Sequence, residues 1–144
     1  MALELTPAQR DGMVAHARET APIECCGLIG GVGDRALKIY RARNAEQSRV
    51  RYTIHPDDML HAVREIEFEN GWDTLAIYHS HPMSEAYPSP TDVKWAVSSG
   101  WDGTARFVII SLADPEQPVT RAFWLKQGRV QEEPINLTAD QVPE

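Results

Sequence analysis

Two histidines separated by one residue, His79 and His81, are the side chains whose type and spacing most directly suggest chemistry. They follow residues 73–77, a run with high β-propensity that predicts a strand. Residues two apart in a strand point to the same face, so both imidazoles can approach one cation. Asp92, eleven residues after His81, supplies a carboxylate as a third ligand. Three such ligands leave a fourth zinc position for water, which is typical of a metal-dependent hydrolase.

Asp92 also has a purely structural interpretation, because the Ser-Pro-Thr-Asp segment at 89–92 has the pattern of a helix start. Serine is a preferred N-cap, proline is favoured at the first helical position, and an acidic residue three positions on interacts with the cap. On these four residues alone, capping is favoured. The histidines change the balance, since a strand end and the first turn of the next helix face each other across a short loop.

A third candidate group lies upstream, at the start of a glycine-rich strand predicted over 23–30. Glu24 is there either because it is exposed at the strand end or because it has a chemical role, and the residues leave both interpretations open. The adjacent Cys25 and Cys26 allow a thiol nucleophile with one of the two histidines as base. Cysteine is common as a small buried residue, and we favour that interpretation.

The elements that position these groups follow from periodicity and capping signals. Apolar residues at helical spacing, with proline near each start, predict three helices. His16, on the first helix, is expected at the surface, and His55 and His61 are expected in surface or capping roles. The predicted fold class is α/β, with a mixed, partly antiparallel sheet. The helices are expected near 6–20, 56–70 and 90–99, and the strands near 23–30, 36–40, 52–54, 73–77, 106–112, 119–125 and 129–131.

Length and composition predict one domain over residues 1–135 and a frayed tail over 136–144. The net charge of −7 argues against a nucleic-acid partner, which needs a basic surface. No apolar run approaches the roughly 20 residues of a membrane helix, and the N-terminus lacks the pattern of a signal peptide. The two cysteines are sequence neighbours and cannot link distant elements. These features predict a cytoplasmic protein without a membrane partner.

The candidate residues together resemble the signature of the JAMM (MPN+) metalloproteases. That signature is a distant glutamate, then His-Ser/Thr-His-Pro, then Ser-x-x-Asp about six residues later. This chain has His-Ser-His-Pro at 79–82, six intervening residues and Ser-Pro-Thr-Asp at 89–92, with Glu24 upstream. The order of predicted elements up to residue 112 is also similar, so the resemblance covers most of the chain.

The resemblance implies an MPN fold with layering like that of cytidine deaminases, and a role for each motif residue. His79, His81 and Asp92 would bind Zn²⁺. Glu24 would be the general base that takes a proton from the metal-bound water and returns it to the leaving amine. Ser89 would position the water or stabilise the tetrahedral oxyanion.

The same resemblance implies a substrate class. JAMM enzymes hydrolyse peptide or isopeptide bonds after the glycine-glycine tail of ubiquitin-like proteins. Residues 85–89 resemble the short prokaryotic branch, some of whose members act on sulfur-carrier proteins. The leading expectation is therefore cleavage of a ubiquitin-like or sulfur-carrier protein adduct, such as release of cysteine. The alternatives are a non-catalytic binding scaffold and a zinc hydrolase of small amides, and the oligomeric state is left open.

Overall fold

The structure, a computed structural model, describes residues 1–139. Three α-helices and one π-helical segment accompany eight strands, and the helices begin and end close to the predicted positions. The helices are α1 (Pro7–Thr20), α2 (Pro56–Val63) with the π-helical segment Arg64–Glu69 directly after it, and α3 (Pro90–Ser99). The strands are β1 (Leu3–Leu5), β2 (Cys26–Val32), β3 (Arg35–Ala42), β4 (Asp73–His81), β5 (Arg106–Ser111), β6 (Val119–Lys126), β7 (Arg129–Glu133) and β8 (Ile135–Leu137).

The predicted start of α1 is confirmed in detail. Thr6 is the N-cap, and its side chain accepts a hydrogen bond from the Gln9 backbone N–H at 3.1 Å. The Gln9 side chain accepts a bond from the Thr6 N–H at 3.0 Å, which completes a capping box. Two N–H groups that the helix start leaves without an intrahelical partner are satisfied in this way, and Pro7 at the first helical position has no N–H to satisfy.

All eight strands form one sheet in the order β7-β6-β5-β4-β2-β3-β1-β8. β2 pairs antiparallel with β3 and with β4, whereas β4 and β5 run parallel. β6 and β7 extend the sheet as an antiparallel hairpin. The mixed, partly antiparallel sheet predicted from the sequence is therefore confirmed.

Helices cover both faces of this sheet. Met13 and Ala17 of α1 lie in a hydrophobic cluster on one face, and Ala62 and Ala96, from α2 and α3, lie in a second cluster on the other. β4 runs between the clusters, and Ile77 belongs to the α2–α3 side while Tyr78 belongs to the α1 side. By this alternation, His79 and His81 face α2 and α3.

Close packing at β2 requires a glycine. A Cβ atom at Gly27 would lie 2.2 Å from the Tyr40 carbonyl oxygen and 2.4 Å from Cε1 of Tyr78. Only a residue without a side chain lets these neighbours approach so closely. Gly27 therefore fixes the separation of β2 from its neighbours next to the site.

Two short strands differ from the expectation. β1 and β8, absent from the prediction, pair in parallel, with Leu3, Glu4 and Leu5 opposite residues 135–137. Asn136 and Leu137, expected to begin a frayed tail, are thus in the sheet; residues 140–144 of that predicted tail lie outside the described residues. The strand expected at 52–54 is reduced to one antiparallel bridge between Asn44 and Ile54. Within residues 1–139, no helix is both long and apolar enough to cross a bilayer.

Candidate metal centre

The three residues proposed as metal ligands meet at one point. His79 and His81 are buried at the carboxyl end of β4, and Asp92 is buried in the first turn of α3. The Nε2 atoms of the two histidines are 3.1 Å apart. Oδ2 of Asp92 lies 3.2 Å from Nε2 of His79 and 3.0 Å from Nε2 of His81. The strand end and the helix start do face each other across the loop, as the sequence pattern indicates.

This spacing fits a small divalent ion. In a tetrahedral site with bonds of about 2.0–2.1 Å, neighbouring ligand atoms are about 3.3 Å apart. The three separations of 3.0–3.2 Å are close to that edge length. Among the described residues, this trio is the group of histidine, cysteine and acidic side chains that could hold a metal ion. The donor set, two imidazoles and one carboxylate, is also one that zinc accepts.

The electrostatics favour the protonation states that metal binding needs in two of the three ligands. Burial lowers the pKa of His79 despite the neighbouring Asp92, which favours the neutral imidazole. Burial alone would raise the pKa of Asp92, but its electrostatic interaction with His79 and its hydrogen bonds with both histidines hold that pKa well below the usual range. Metal ligation requires a neutral imidazole and an ionised carboxylate.

Both ring nitrogens of His81 have a partner within hydrogen-bond distance. Burial opposes protonation of its ring, but hydrogen bonds to Asp92 and to the Glu85 carbonyl outweigh burial and raise the pKa of His81. Its Nδ1 atom lies 2.7 Å from that carbonyl oxygen. Such a partner on the second ring nitrogen fixes the tautomer and the orientation of a ligating histidine.

Ser89 has the capping role that its sequence pattern also allows. Its hydroxyl oxygen accepts a hydrogen bond from the Asp92 N–H at 3.1 Å, and its own N–H donates to Oδ2 of Asp92 at 2.9 Å. The second bond orients the carboxylate toward the histidines. Because the hydroxyl accepts the first bond through a lone pair, its O–H remains able to donate.

Glu24 is placed beside the triad rather than in solvent. Its residue exposure is 3%, and its Oε1 atom is buried without a hydrogen-bond partner among the described residues. Burial raises the pKa of Glu24 to about 8, with the charge of His81 opposing and that of Asp92 reinforcing the change. Of the two interpretations of Glu24, the exposed strand end is therefore wrong.

The two cysteines behave as packing residues. Cys25 and Cys26 are buried free thiols. Burial raises the pKa of Cys25 to about 11, and burial also raises that of Cys26. A nucleophilic cysteine needs a lowered pKa, so the thiol alternative is not supported.

The remaining histidines are distributed as follows. His55 is the N-cap of α2, where its Nδ1 accepts a bond from the Asp57 N–H at 3.2 Å, and His61 is exposed. The surface position expected for His16 is wrong, because α1 turns this residue toward the sheet. Its exposure is 8%, and Nδ1 lies 2.8 Å from the Tyr78 hydroxyl.

Two residues that contact the site were missed by the sequence reasoning. Asn44 donates a hydrogen bond to the Glu24 carbonyl oxygen at 3.1 Å. The ring of Tyr52 stacks on the imidazole of His79, with centroids 4.3 Å apart. The only signals available were an asparagine opening a polar connection and an aromatic residue in a short apolar run, and both are common in loops without a site.

Comparison with known proteins identifies the family. The family described as prokaryotic homologues of the JAB domain matches residues 6–126. The chain is 37% identical over 129 residues to the CysO-cysteine peptidase of Mycobacterium tuberculosis (strain ATCC 25618 / H37Rv), covering 88% of this chain and 85% of that protein. It is 32% identical over 129 residues to the desampylase of Haloferax volcanii, covering 85% of this chain and 87% of that protein.

A solved structure agrees with this assignment. The solution structure of protein DSY2949 from Desulfitobacterium hafniense has a TM-score of 0.84 with this chain at 38% identity, covering 95% of this chain and 93% of that one. Fold and site together define an α/β domain with a buried His-His-Asp group suited to a metal ion. The chain belongs to the family of prokaryotic homologues of the JAB domain.

Proposed function

We propose that this protein is a zinc-dependent peptidase that cleaves the bond after the glycine-glycine C-terminus of a ubiquitin-like or sulfur-carrier protein. The observation that carries the proposal is the convergence of His79, His81 and Asp92, with Glu24 buried beside them. The named relatives are a CysO-cysteine peptidase and a desampylase, which supports an adduct of a small carrier protein as the substrate.

The chain's own residues account for most of the reaction. A bound zinc ion would lower the pKa of a coordinated water to about 7 and would polarise the scissile carbonyl. Oε1 of Glu24, which has no hydrogen-bond partner within residues 1–139, accepts a proton from the attacking water. The same carboxyl then delivers that proton to the leaving amine. The O–H of Ser89 donates to the oxyanion that develops on the scissile carbonyl.

Burial explains why Glu24 suits this role. A group that both accepts and donates a proton during catalysis works best when its pKa lies near the working pH. The apolar surroundings that raise the pKa of Glu24 strengthen its basicity, and the positive charge of an ion on the neighbouring ligands would keep it ionised. These two effects oppose each other and keep the pKa of Glu24 in a range where it can accept a proton and then return it.

The test uses a carrier protein that ends in glycine-glycine and is joined by an amide bond to cysteine. We expect the zinc-loaded protein to release cysteine, a chelator to stop release, and added zinc to restore it. Glu24→Gln should keep the metal and lower kcat by about 100- to 10,000-fold. The matched control is Glu132→Gln, which changes an exposed glutamate on β7 and should leave kcat unchanged.

Two outcomes would replace the proposal. Full activity of Glu24→Gln would show that another group moves the proton. Bound zinc without cleavage of any glycine-glycine adduct would favour either a scaffold or a hydrolase of small amides, and a panel of small amides would separate these two.

A further inference from the structure

The connection between β3 and α2 contacts both the candidate base and a candidate ligand. Residues 44–54 form most of this segment, which we call the 44–54 connection. An antiparallel bridge between Asn44 and Ile54 closes it into a loop. Its sequence is polar and resembles an ordinary surface loop. Its buried residues Asn44 and Tyr52 nevertheless point into the protein beside the site.

The backbone of Glu24 is held by this connection and not by the sheet. β2 begins at Cys26, so Glu24 precedes the first residue of the strand. Its N–H donates to the Ser48 carbonyl oxygen at 2.9 Å, and its carbonyl oxygen accepts the bond from Nδ2 of Asn44. Both polar groups of the Glu24 backbone are therefore bonded to the 44–54 connection.

Asn44 is itself fixed by three further hydrogen bonds. Nδ2 also donates to the Arg51 carbonyl oxygen at 3.0 Å. Oδ1 accepts bonds from the N–H groups of Glu46 at 3.0 Å and Thr53 at 3.2 Å. Both amide hydrogens and the oxygen are used, which locks the rotamer of a side chain only 8% exposed.

At the other end of the connection, Tyr52 holds the ring of His79. The rings of Tyr52 and His79 are nearly parallel, with an angle of 20° between their planes. Tyr52 also contacts Trp95, and the centroids of these two rings are 4.7 Å apart. Nδ1 of His79 has no hydrogen-bond partner among the described residues, unlike Nδ1 of His81. The hydrogen bond that usually orients a ligating imidazole is thus replaced by ring stacking.

We infer that the 44–54 connection positions the reacting groups, with Asn44 acting through Glu24 and Tyr52 acting through His79. The inference rests on the proposed function and adds two positioning residues, neither of which touches the substrate. Because each acts through a different group, their loss has different consequences: Tyr52 governs metal binding, and Asn44 governs turnover.

The Tyr52 half is tested without substrate, by titrating the metal-free protein with Co²⁺ and recording its visible absorption. Tyr52→Leu should weaken Co²⁺ binding by about 10-fold and change the absorption bands. Tyr52→Phe keeps the stacked ring and should bind within about twofold of wild type. The control Phe107→Leu removes a buried ring from the same core cluster and should bind like wild type. Wild-type affinity and spectrum in Tyr52→Leu would overturn this half.

The Asn44 half is tested by kinetics with the glycine-glycine adduct, together with the same Co²⁺ titration. Asn44→Ala should lower kcat by about 10- to 100-fold, because a displaced base loses its alignment, while KM and Co²⁺ affinity stay unchanged. Asn70→Ala, which removes a similar bond to the Glu65 carbonyl far from the site, should have wild-type kcat. If Asn44→Ala does not fold, Asn44→Asp serves, since it keeps the acceptor of the Glu46 and Thr53 bonds and replaces the donor by an oxygen that the Glu24 and Arg51 carbonyls repel.

The results separate failure of this inference from failure of the proposed function. Unchanged kcat in Asn44→Ala, with Glu24→Gln inactive, would refute the positioning role and leave the proposed function intact. If Asn44→Ala lost Co²⁺ affinity by the same factor as kcat, the positioning role of Asn44 would also be refuted. If the wild type cleaved no adduct, the Co²⁺ titrations of the Tyr52 variants would still decide the Tyr52 half.

Discussion

His16 is a buried histidine whose Nδ1 atom lies 2.8 Å from the Tyr78 hydroxyl. Burial, assisted by the charge of Arg41 and opposed by that of Glu19, lowers the pKa of His16 from 6.5 to about 4. In the unfolded chain the ring regains its ordinary pKa, so between pH 6.5 and pH 4 the unfolded state binds more protons. The free energy of unfolding must therefore fall as the pH drops through this window.

The magnitude follows from these two pKa values. At pH 7.5 the ring is neutral in the folded and the unfolded state, so its titration hardly changes the free energy of unfolding. At pH 5 it is protonated mainly in the unfolded chain, and the linkage relation gives a loss of about 2 kcal/mol. Partial contact with solvent screens the effect, so we expect about 1–1.5 kcal/mol.

The assay is urea unfolding at pH 7.5 and pH 5, followed by tryptophan fluorescence, in the presence of a chelator. Other groups titrate in this range too, so the measured quantity is the difference in unfolding free energy between wild type and His16→Gln. Between pH 7.5 and pH 5, the unfolding free energy of the wild type should fall by about 1–1.5 kcal/mol relative to that of His16→Gln. The exposed-histidine control His61→Gln should show no such shift. An identical difference between wild type and His16→Gln at both pH values would refute the reasoning.

Three stability predictions follow from buried groups, each measured by urea unfolding at pH 7.5. Tyr52→Phe should raise the free energy of unfolding by about 1 kcal/mol, because the buried hydroxyl of Tyr52 has no partner among the described residues; a loss of stability would contradict this. Arg106→Met should cost about 3–5 kcal/mol, since it leaves the buried Glu133 without its cationic partner, whereas the exposed-pair control Arg121→Met should cost at most about 1 kcal/mol; equal losses would contradict this. Gly27→Ala should cost about 3 kcal/mol through its clash with backbone, while Gly12→Ala, with nothing within 4 Å of its new Cβ, should add up to about 1 kcal/mol; a neutral Gly27→Ala would contradict the packing argument.

The elements that the sequence predicts well are those with strong local signals. Thr6 and Gln9 form the capping box that their spacing indicates, at the predicted start of α1. Alternation in β4 correctly placed His79 and His81 on one face. These features depend on a few neighbouring residues, so one sequence contains the information.

The features that escaped prediction depend on distant residues. β1 and β8 have three residues each and pair with one another across 132 positions of sequence, and β1 also pairs with β3. The burial of His16 depends on how α1 packs against β4, which periodicity along α1 does not reveal. The hydrogen bond from Asn44 to Glu24 likewise joins two loops that no local pattern relates.

The proposed metal site at His79, His81 and Asp92 is tested most directly by the stoichiometry of bound zinc. Purified protein dialysed against zinc and then against metal-free buffer should retain one ion per chain, measured by elemental analysis. His79→Ala and Asp92→Ala should retain almost none, while Glu24→Gln should retain one, because Glu24 acts on the proton and not on the ion. Folded wild-type protein without zinc, or full zinc occupancy in Asp92→Ala, would contradict the assignment of this site.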